Sequence, residues 1–208
     1  EDLHSNTVVD LLEKSADDFN HVETSRIGTI DRYVRQQGDN HFNVLASDED
    51  PERQDMVDGD GFRTVHQILE RFNRMIFVDT GNNARAEHFL AAMEATDQLV
   101  IPVSAGLDSA LVAEKMMKAL TARGYGDLVQ NAVVMLHDSE SRKIDDTDTA
   151  RRFEGKVGAV IPIPFDAALK DGGKIDYDAL QPATRRAYQE AAAAIAQNLR
   201  NQIKETQA

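Results

Sequence analysis

Short continuous runs of apolar residues alternate along this chain with segments in which apolar residues recur every three or four positions. A continuous run is typical of a strand buried on both faces, and the wider spacing is typical of an amphipathic helix. The runs that predict strands are Phe42–Ala46, Met75–Val78, Leu99–Val103, Ala132–Leu136 and Val157–Ile163. The segments that predict helices are Phe62–Phe72, the stretch around Phe89–Met93, Asp108–Arg123, Asp145–Phe153 and Ala183–Lys204. This alternation predicts an α/β fold with a doubly wound, mostly parallel sheet and helices on both faces.

The stretch from Arg74 to Ala105 is the clearest unit of this alternation, because it predicts a strand, a polar loop, a helix and a second strand. The first strand ends in the sequence Asp-Thr-Gly-Asn-Asn, which occupies residues 79–83. Ligands of open α/β sheets lie beyond the carboxyl ends of the strands. At such an end, the Asp79 carboxylate can hold a metal ion or its water, and Gly81 lets backbone N–H groups approach a phosphate.

Residues 1–40 form a polar, acidic lead-in whose structure the sequence only partly predicts. A short helix begins near Thr7, with Asn6 or Ser5 available as its N-cap. Residues 28–33 fit either a strand or the entry to a helix. Near the middle of the chain, Asp108 or Ser109 can cap a helix that Gly124 closes.

Residues 47–61 form a polar segment rich in Asp and Glu, and two interpretations fit it. Asp58 and Asp60 flank a glycine, which suggests a cation site, but the spacing does not match a calcium-binding EF-hand. The alternative is a solvated acidic loop.

The amino-acid composition and the net charge exclude several classes of site and function. The chain has 208 residues, enough for one substantial domain spanning residues 1–208, and its lack of cysteine excludes disulfides, cysteine nucleophiles and thiolate metal sites. The net charge of -13 opposes binding to nucleic acid by this chain alone. No run reaches the roughly 20 apolar residues of a membrane span, and no signal segment opens the chain. We therefore expect a cytoplasmic protein. Because residue 1 is Glu rather than Met, we also expect the chain to be a trimmed form, a processed product or an ordered part of something longer.

The ordered segments VDTGNN, QLVIPVSAGLDSA, NAVVMLHD and IPIPFDAALKDGGKIDYDALQPATRRAYQEAA together resemble the MinD/ParA group of P-loop ATPases. The last segment is similar to the tail of actinobacterial members, including those associated with type VII secretion loci. The resemblance covers most of residues 40–204. It implies a P-loop NTPase-like fold, ATP and Mg²⁺ as cofactors, a homodimer around the nucleotide as one option, and a role in partitioning, positioning or secretion.

The same resemblance implies a set of site residues. Asp79 would be the Walker B carboxylate that holds a magnesium-bound water, and Gly81 would place its N–H near the γ-phosphate, with Asn82 and Asn83 beside it. His137 and Asp138 occupy a strand end where relatives often have an Asn or Arg that contacts the base, and this departure puts adenine specificity in doubt. The base pocket would be lined by Pro164, Phe165 and Asp166.

The phosphate-binding loop of the family is missing from this sequence. Such a loop needs glycines whose N–H groups surround the phosphates, a Lys, and a following Ser or Thr. Gly155-Lys156 is followed by Val157, and Gly173-Lys174 by Ile175, so neither pair fits. In the family this loop and its strand come well before the VDTG strand, and here they would precede residue 1. We therefore expect this chain to be inactive and to bind ATP weakly on its own.

Two alternatives stay open beside an incomplete ATPase domain. The chain could be a nucleotide-free scaffold or regulatory module with the same fold, or a related P-loop enzyme such as a synthetase that activates a carboxylate. Other chemistries fit poorly: the histidines are scattered without a zinc-binding pattern, and no GxSxG elbow surrounds Ser104 or Ser109. The apolar stripe of the last helix, which is thin and alanine-rich, predicts a helix packed on the sheet rather than a membrane anchor.

Overall fold

The computed structural model describes residues 6–19, 30–37, 41–81, 83–140, 148–170 and 175–206. The chain divides into two compact units, Glu1–Ala95 and Thr96–Ala208. The single domain that the sequence favours stays a prediction.

The first unit is mainly helical. Helix α1 packs on α3, and α3 packs in turn on α4. The core forms where Leu11 of α1 meets Val65 and Ile68 of α3, with Tyr33 buried in the same cluster. The elements are α1 (Val8–Phe19), β1 (Arg35–Gln36), β2 (Asn43–Val44), α2 (Pro51–Gln54), α3 (Gly59–Glu70) and α4 (Glu87–Glu94).

The acidic segment 47–61 starts two helices rather than forming one loop. Asp50 caps α2 by accepting the N–H of Glu52, and Asp58 caps α3 by accepting the N–H of Gly61 at 2.8 Å. Carboxylates suit this position because the first N–H groups of a helix lack partners. The cap at Asp58 also explains why α3 begins earlier than the predicted Phe62. No group of acidic or histidine side chains within the described ranges is suited to hold a metal ion, so the cation-site interpretation gains no support.

Asp48 is buried at the start of this segment and ties it to α1. Its carboxylate accepts the Thr7 hydroxyl at 2.9 Å and pairs with the Arg53 guanidinium at 2.9 Å. Thr7 itself precedes α1, and its N–H donates to Asp10 at 2.7 Å, as in a capping box. The Leu11 N–H donates to the Thr7 carbonyl, so Thr7 is the N-cap rather than Asn6, whose side chain donates to the Arg32 carbonyl; Ser5 lies outside the described ranges.

The first part of this unit does not contain the buried strand predicted at Phe42–Ala46, and one of the two alternatives for residues 28–33 can be rejected. Only Asn43–Val44 of the run Phe42–Ala46 forms a strand, antiparallel to β1, and Phe42 is 58% exposed. A pair of two-residue strands is too short to bury such a run. Residues 30–33 end a helical turn, with the Tyr33 N–H bonded to the Ile30 carbonyl, so the strand alternative fails there, and residues 28 and 29 lie outside the described ranges.

The run Met75–Val78, which we expected to be a central strand, forms no strand and pairs with none of the described strands. Phe77 is 82% exposed and Met75 is 62% exposed. A strand buried on both faces needs neighbours that supply ladder hydrogen bonds and apolar cover. The described residues of this unit supply neither, so the apolar pattern is present without the burial that it predicts.

The second unit is an α/β layer structure. Its sheet holds three strands of the described chain in the order β3–β4–β5, all parallel, which confirms the strands predicted near residues 99, 132 and 159. The elements are β3 (Val100–Ser104), α5 (Leu107–Ala122), α6 (Gly126–Gln130), β4 (Val133–His137), α7 (Asp148–Arg151), β5 (Ala159–Ile163), short 3-10 turns at Ala167–Leu169 and Tyr177–Ala179, and α8 (Pro182–Thr206).

Helices cover the two faces of this sheet. Ala187 and Ala191 of α8 pack on Val133, Ile161 and Ile163, which point to one face because alternate residues of a strand do so. The intervening residues of β4 are also fully buried on the opposite face, and α5 packs against β3. The last helix is thus packed on the sheet, as predicted, and no helix among the described residues is long and apolar enough to cross a membrane.

The helix ends of this unit follow the sequence in part. Gly124 closes α5 at φ 97°, its N–H bonded to the Thr121 carbonyl, as a left-handed C-terminal residue should be. Helix α5 begins directly after Gly106, so neither Asp108 nor Ser109 is its N-cap. The helix predicted over 145–153 is found only at Asp148–Arg151, and residues 141–147 lie outside the described ranges.

Candidate functional site

The carboxyl ends of the three parallel strands lie side by side in the second unit. The register pairs Ser104 with His137 and His137 with Ile163. The ladder continues past each strand: the Ala105 N–H donates to the His137 carbonyl at 2.8 Å, and the Asp138 N–H donates to the Ile163 carbonyl at 2.9 Å. The loops that follow therefore emerge together at the edge where α/β proteins bind ligands.

This edge brings together five of the residues that the resemblance selected. His137 ends β4, Asp138 follows it, and the other three follow β5; the ladder bond between Asp138 and Ile163 joins the two strand ends. The side chains differ in exposure, because only Asp166 is buried and the other four are half-buried. The residues are His137, Asp138, Pro164, Phe165 and Asp166.

His137 is half-buried and is held from two sides. Its ring lies 6.3 Å from the Tyr188 ring of α8, with Nε2 3.5 Å from the phenol oxygen, the limit of a hydrogen bond. Burial lowers the pKa of His137, and a backbone hydrogen bond with Met135 opposes that shift. The imidazole is therefore neutral at neutral pH, and its ring is oriented by the chain itself.

Tyr188 is a member of this edge that the motifs did not select. Burial raises the pKa of its phenol, and the Asp166 carboxylate raises it further. The only sequence signal was its place on the apolar stripe of the last helix, which predicts packing but does not say that it reaches the end of β4. The pair of His137 and Tyr188 thus places two neutral hydrogen-bonding groups next to each other at the end of β4.

Asp166 has a structural use. One carboxylate oxygen accepts the Gln181 N–H at 2.8 Å and the other accepts the Ala168 N–H at 3.1 Å. The Gln181 N–H, and then that of Ala168, hold the pKa of Asp166 below its ordinary range against the opposing effect of burial. The carboxylate thus joins the turn after β5 to the start of α8, and its predicted place along a base pocket stays a prediction.

Asp79 and Gly81 lie in the first unit, in an exposed turn. The Gly81 N–H donates to Asp79 Oδ1 at 3.0 Å, and Gly81 adopts φ 61° with no atom within 4 Å of the place where a Cβ would lie. Asn83 accepts the N–H of Arg85 at 3.2 Å, and Asn82 lies outside the described ranges. Because 75–78 is not a strand, Asp79 does not end one, contrary to expectation, and its magnesium role stays a prediction.

The residues of this chain do not by themselves fit ATP with Mg²⁺. The Gly81 N–H that would face a γ-phosphate is bonded to Asp79, and no lysine-bearing glycine loop occurs in the sequence. A triphosphate beside Asp79, on a chain of net charge -13, would be repelled without such a lysine. We therefore derive no chemical step through the nucleotide.

Comparison with known proteins supports the fold. No protein-family model matches the chain. A ParA family ATPase from Chlorobium tepidum TLS has a similar structure, with a TM-score of 0.63, 14% sequence identity, and coverage of 95% of this chain and 74% of that one. Together with the parallel sheet and its helices, this likeness shows an α/β, ParA-like P-loop NTPase fold.

The sequence is also similar to a secretion-associated protein. The ESX-1 secretion-associated protein EspI of Mycobacterium tuberculosis, in strains CDC 1551 / Oshkosh and ATCC 25618 / H37Rv, is 24% identical over 159 residues. The match covers 74% of this chain and 24% of EspI. The chain thus spans about a quarter of the length of these curated relatives.

Proposed function

We propose that this chain is the greater part of a MinD/ParA-like ATPase domain that lacks its Walker A strand, loop and helix. The longer protein would bind ATP and Mg²⁺, with a homodimer around the nucleotide as one arrangement, and would work in the cytoplasm. This chain alone would not hold ATP tightly, because the lysine and the glycine loop that offset the phosphate charge are absent from it.

The observation that carries the proposal is the exposed apolar run at residues 75–78. Met75, Phe77 and Val78 are exposed and Ile76 is partly buried, and such a cluster of exposed apolar side chains is unfavourable unless something covers it. Phe77 is 82% exposed, although its neighbours Ile76 and Val78 are strong strand formers. A further strand from the missing segment would turn this run into the buried strand that its sequence predicts, and it would place Asp79 at a strand end.

Among the cellular roles that the resemblance implies, secretion is favoured over partitioning and positioning. The support is the similarity to EspI, a protein described as secretion-associated. Fold likeness alone cannot choose among these roles, because one fold serves many functions.

Nucleotide titration tests the proposal. The 208-residue chain is titrated with a fluorescent ATP analogue in the presence of Mg²⁺, and the longer protein is titrated in the same way. We expect saturable, Mg²⁺-dependent binding by the longer protein only. Failure of the longer protein to bind would remove the ATPase proposal, and tight binding by the 208-residue chain would remove the claim that its site is incomplete.

Asp79→Asn in the longer protein tests the role of the carboxylate. A residue that holds a magnesium-bound water should, when neutralised, weaken Mg²⁺-dependent binding by about tenfold, which corresponds to about 1.4 kcal/mol. Glu190→Gln, which neutralises an exposed carboxylate on α8, serves as the control and should leave binding unchanged. Equal affinities for the two variants would exclude Asp79 from the site.

The alternative is a nucleotide-free scaffold with the same fold. Two observations favour it: the Gly81 N–H is already bonded within the chain, and the His137 ring is held by Met135 and Tyr188. The sequence upstream of residue 1 discriminates directly. A glycine-rich segment ending in Gly-Lys-Ser or Gly-Lys-Thr supports the ATPase, and its absence there supports the scaffold.

A further inference from the structure

A groove of about 380 Å³ lies on the second unit between α5, α6 and the turn before β5. Its floor is formed by the buried apolar residues Met117 and Val129. Ala122, which is exposed, lies at its margin. Glu114, Lys118 and Lys156 form its rim. This combination of an apolar floor and charged margins is the arrangement by which proteins hold amphipathic segments.

Glu114, the one carboxylate of the rim, forms ion pairs with cations of the same chain. Glu114 lies 3.1 Å from the Lys156 ammonium and 3.2 Å from the Arg152 guanidinium. Lys156 and the other nearby cations hold the pKa of Glu114 below its ordinary value, although burial opposes the shift, so it stays ionised. Lys118 is also close enough to lower the pKa of Glu114 through its charge. Two cations and one anion line the margin, and Arg152 adds a positive charge beside Glu114 without lining the groove, so the charge around Glu114 is positive.

A positive margin is unusual on a chain whose net charge is -13. Charges farther away than about 8 Å are largely screened at physiological ionic strength. The cations at the rim therefore decide what the groove attracts, and the acidic remainder of the surface has little influence at contact distance.

We propose that this groove is a docking site for an acidic, amphipathic segment of a partner protein. Apolar side chains of that segment lie on Met117 and Val129, and its carboxylates meet Lys118 and Lys156. A second copy of this chain is the other possible occupant, and the sedimentation measurement described below distinguishes it from a partner segment. The proposal does not depend on nucleotide binding.

Fluorescence anisotropy with a defined probe tests this. The probe is a fluorescein-labelled peptide with two leucines four residues apart among glutamates, titrated with the 208-residue chain. A second peptide replaces every glutamate by glutamine, and a third replaces both leucines by serine. We expect the first peptide to bind measurably more tightly than both controls, with an affinity that falls as salt rises.

Variants of the groove make the test specific. Ala122→Tyr fills the margin from an exposed position, so it should reduce binding about tenfold, equivalent to about 1.4 kcal/mol. Lys118→Gln should weaken binding about threefold to fivefold, the range of an exposed ion pair. Lys170→Gln changes an exposed lysine that lines no part of this groove and should leave binding as it was.

Three results would overturn the proposal. The acidic peptide does not bind, the glutamine peptide binds equally well, or Ala122→Tyr binds as the parent chain does. Sedimentation of the parent and Ala122→Tyr supplies the remaining check: a dimer that Ala122→Tyr abolishes would identify a second copy as the occupant and would reject a partner peptide. Circular dichroism of each variant confirms that the fold is retained.

Discussion

Gly158 lies at the entrance to β5, where the backbone of Asn131 passes close to it. A Cβ at residue 158 would lie 3.2 Å from the carbonyl carbon and oxygen of Asn131. Neither segment can move easily, because the Gly158 N–H donates to the Ala132 carbonyl at 3.0 Å and Asn198 of α8 donates to the Asn131 carbonyl at 2.8 Å. Gly158→Ala should therefore lower the free energy of unfolding by about 1–3 kcal/mol, measured by urea unfolding.

Gly126→Ala is the matched control, since it makes the same chemical change where space is available. The nearest atom to a Cβ at residue 126 is Thr121 Cγ2 at 3.8 Å, an ordinary contact. Gly126 starts α6 and has no positive φ, so alanine should stabilise the chain by about 0.5–1 kcal/mol through the unfolded state. If both variants had the same effect, the contact with Asn131 would not determine the choice of glycine.

Asp166 should make stability depend on pH in the acid range. Its two backbone N–H partners lower the pKa of the folded state below the ordinary value of about 3.9. A carboxyl of this kind stabilises the fold above the unfolded pKa, and the contribution is lost as pH falls through the lower folded pKa. Asp166→Asn should therefore lower the urea midpoint at pH 7, and its difference from the parent should shrink as the pH falls below the ordinary carboxyl pKa.

Asp178→Asn provides the comparison for this measurement. Asp178 has an exposed side chain whose carboxylate lies 3.8 Å from the Arg185 guanidinium, a long distance for an ion pair. Its neutralisation should shift the urea midpoint little at either pH, as is usual for surface pairs. A difference between Asp166→Asn and the parent that persisted unchanged at low pH would mean that shape, rather than charge, makes the residue necessary.

At the scale of elements, the sequence predicted strands well only where the same unit covers them. The runs that became β3, β4 and β5 pair with one another and are covered by α5 and α8. The run at 75–78 has the same apolar pattern and no strand partner among the described residues. An apolar run therefore indicates that a segment is stable as a strand only when it is buried. Whether it is buried depends on the strands and helices beside it, which the local pattern does not reveal.

Phe77→Asp tests whether residues 75–78 stay exposed or become a buried strand in the longer protein. In the 208-residue chain Phe77 is 82% exposed, so the change should alter the free energy of unfolding by less than about 0.5 kcal/mol. In the longer protein, where we infer that a further strand covers it, the same change should cost about 3 kcal/mol or more. Urea unfolding of both proteins supplies the measurement.

Phe42→Asp is the control in both proteins, because Phe42 is also exposed, at 58%, and lies outside the run. It should have little effect in either. If Phe77→Asp left the free energy of unfolding of the longer protein unchanged as well, no strand would cover residues 75–78. The exposed run would then no longer support the proposed function.

The strand ends after β4 and β5 were predicted from the sequence, whereas the strand end expected at Asp79 was not found and the contacts of the polar side chains were not predicted. Strand ends can be read from the sequence, so His137 and Pro164 were expected at one edge, where the structure places them. The hydrogen-bond partners of the polar side chains could not be predicted, because these partners lie far away in the sequence. Asp166 reaches Gln181, and His137 meets Tyr188, which lies beyond a long connection in the chain.

At the scale of the whole molecule, the fold class was predicted from the alternation of strands and helices. The net charge gives a further prediction, which concerns binding to nucleic acid. The net charge of -13 and the isoelectric point near 4.8 describe a chain that repels polyanions at neutral pH. Non-specific DNA binding rests almost entirely on contacts between phosphates and Lys or Arg. The positive rim around Lys118 and Lys156 is small beside the surface that a DNA-binding protein presents to a duplex.

We therefore expect this chain not to shift duplex DNA in a native gel at pH 7.5 and about 0.15 M salt, where typical non-specific dissociation constants are about 10⁻⁴–10⁻⁶ M. Lowering the pH below the isoelectric point should produce weak, salt-sensitive binding, because carboxylates are then protonated while Lys and Arg stay charged. Lys118→Gln is the informative variant. Saturable binding at pH 7.5 that this variant abolishes would show that the groove recognises nucleic acid, whereas binding that it leaves intact would locate a basic surface elsewhere; either result would contradict the expectation from net charge.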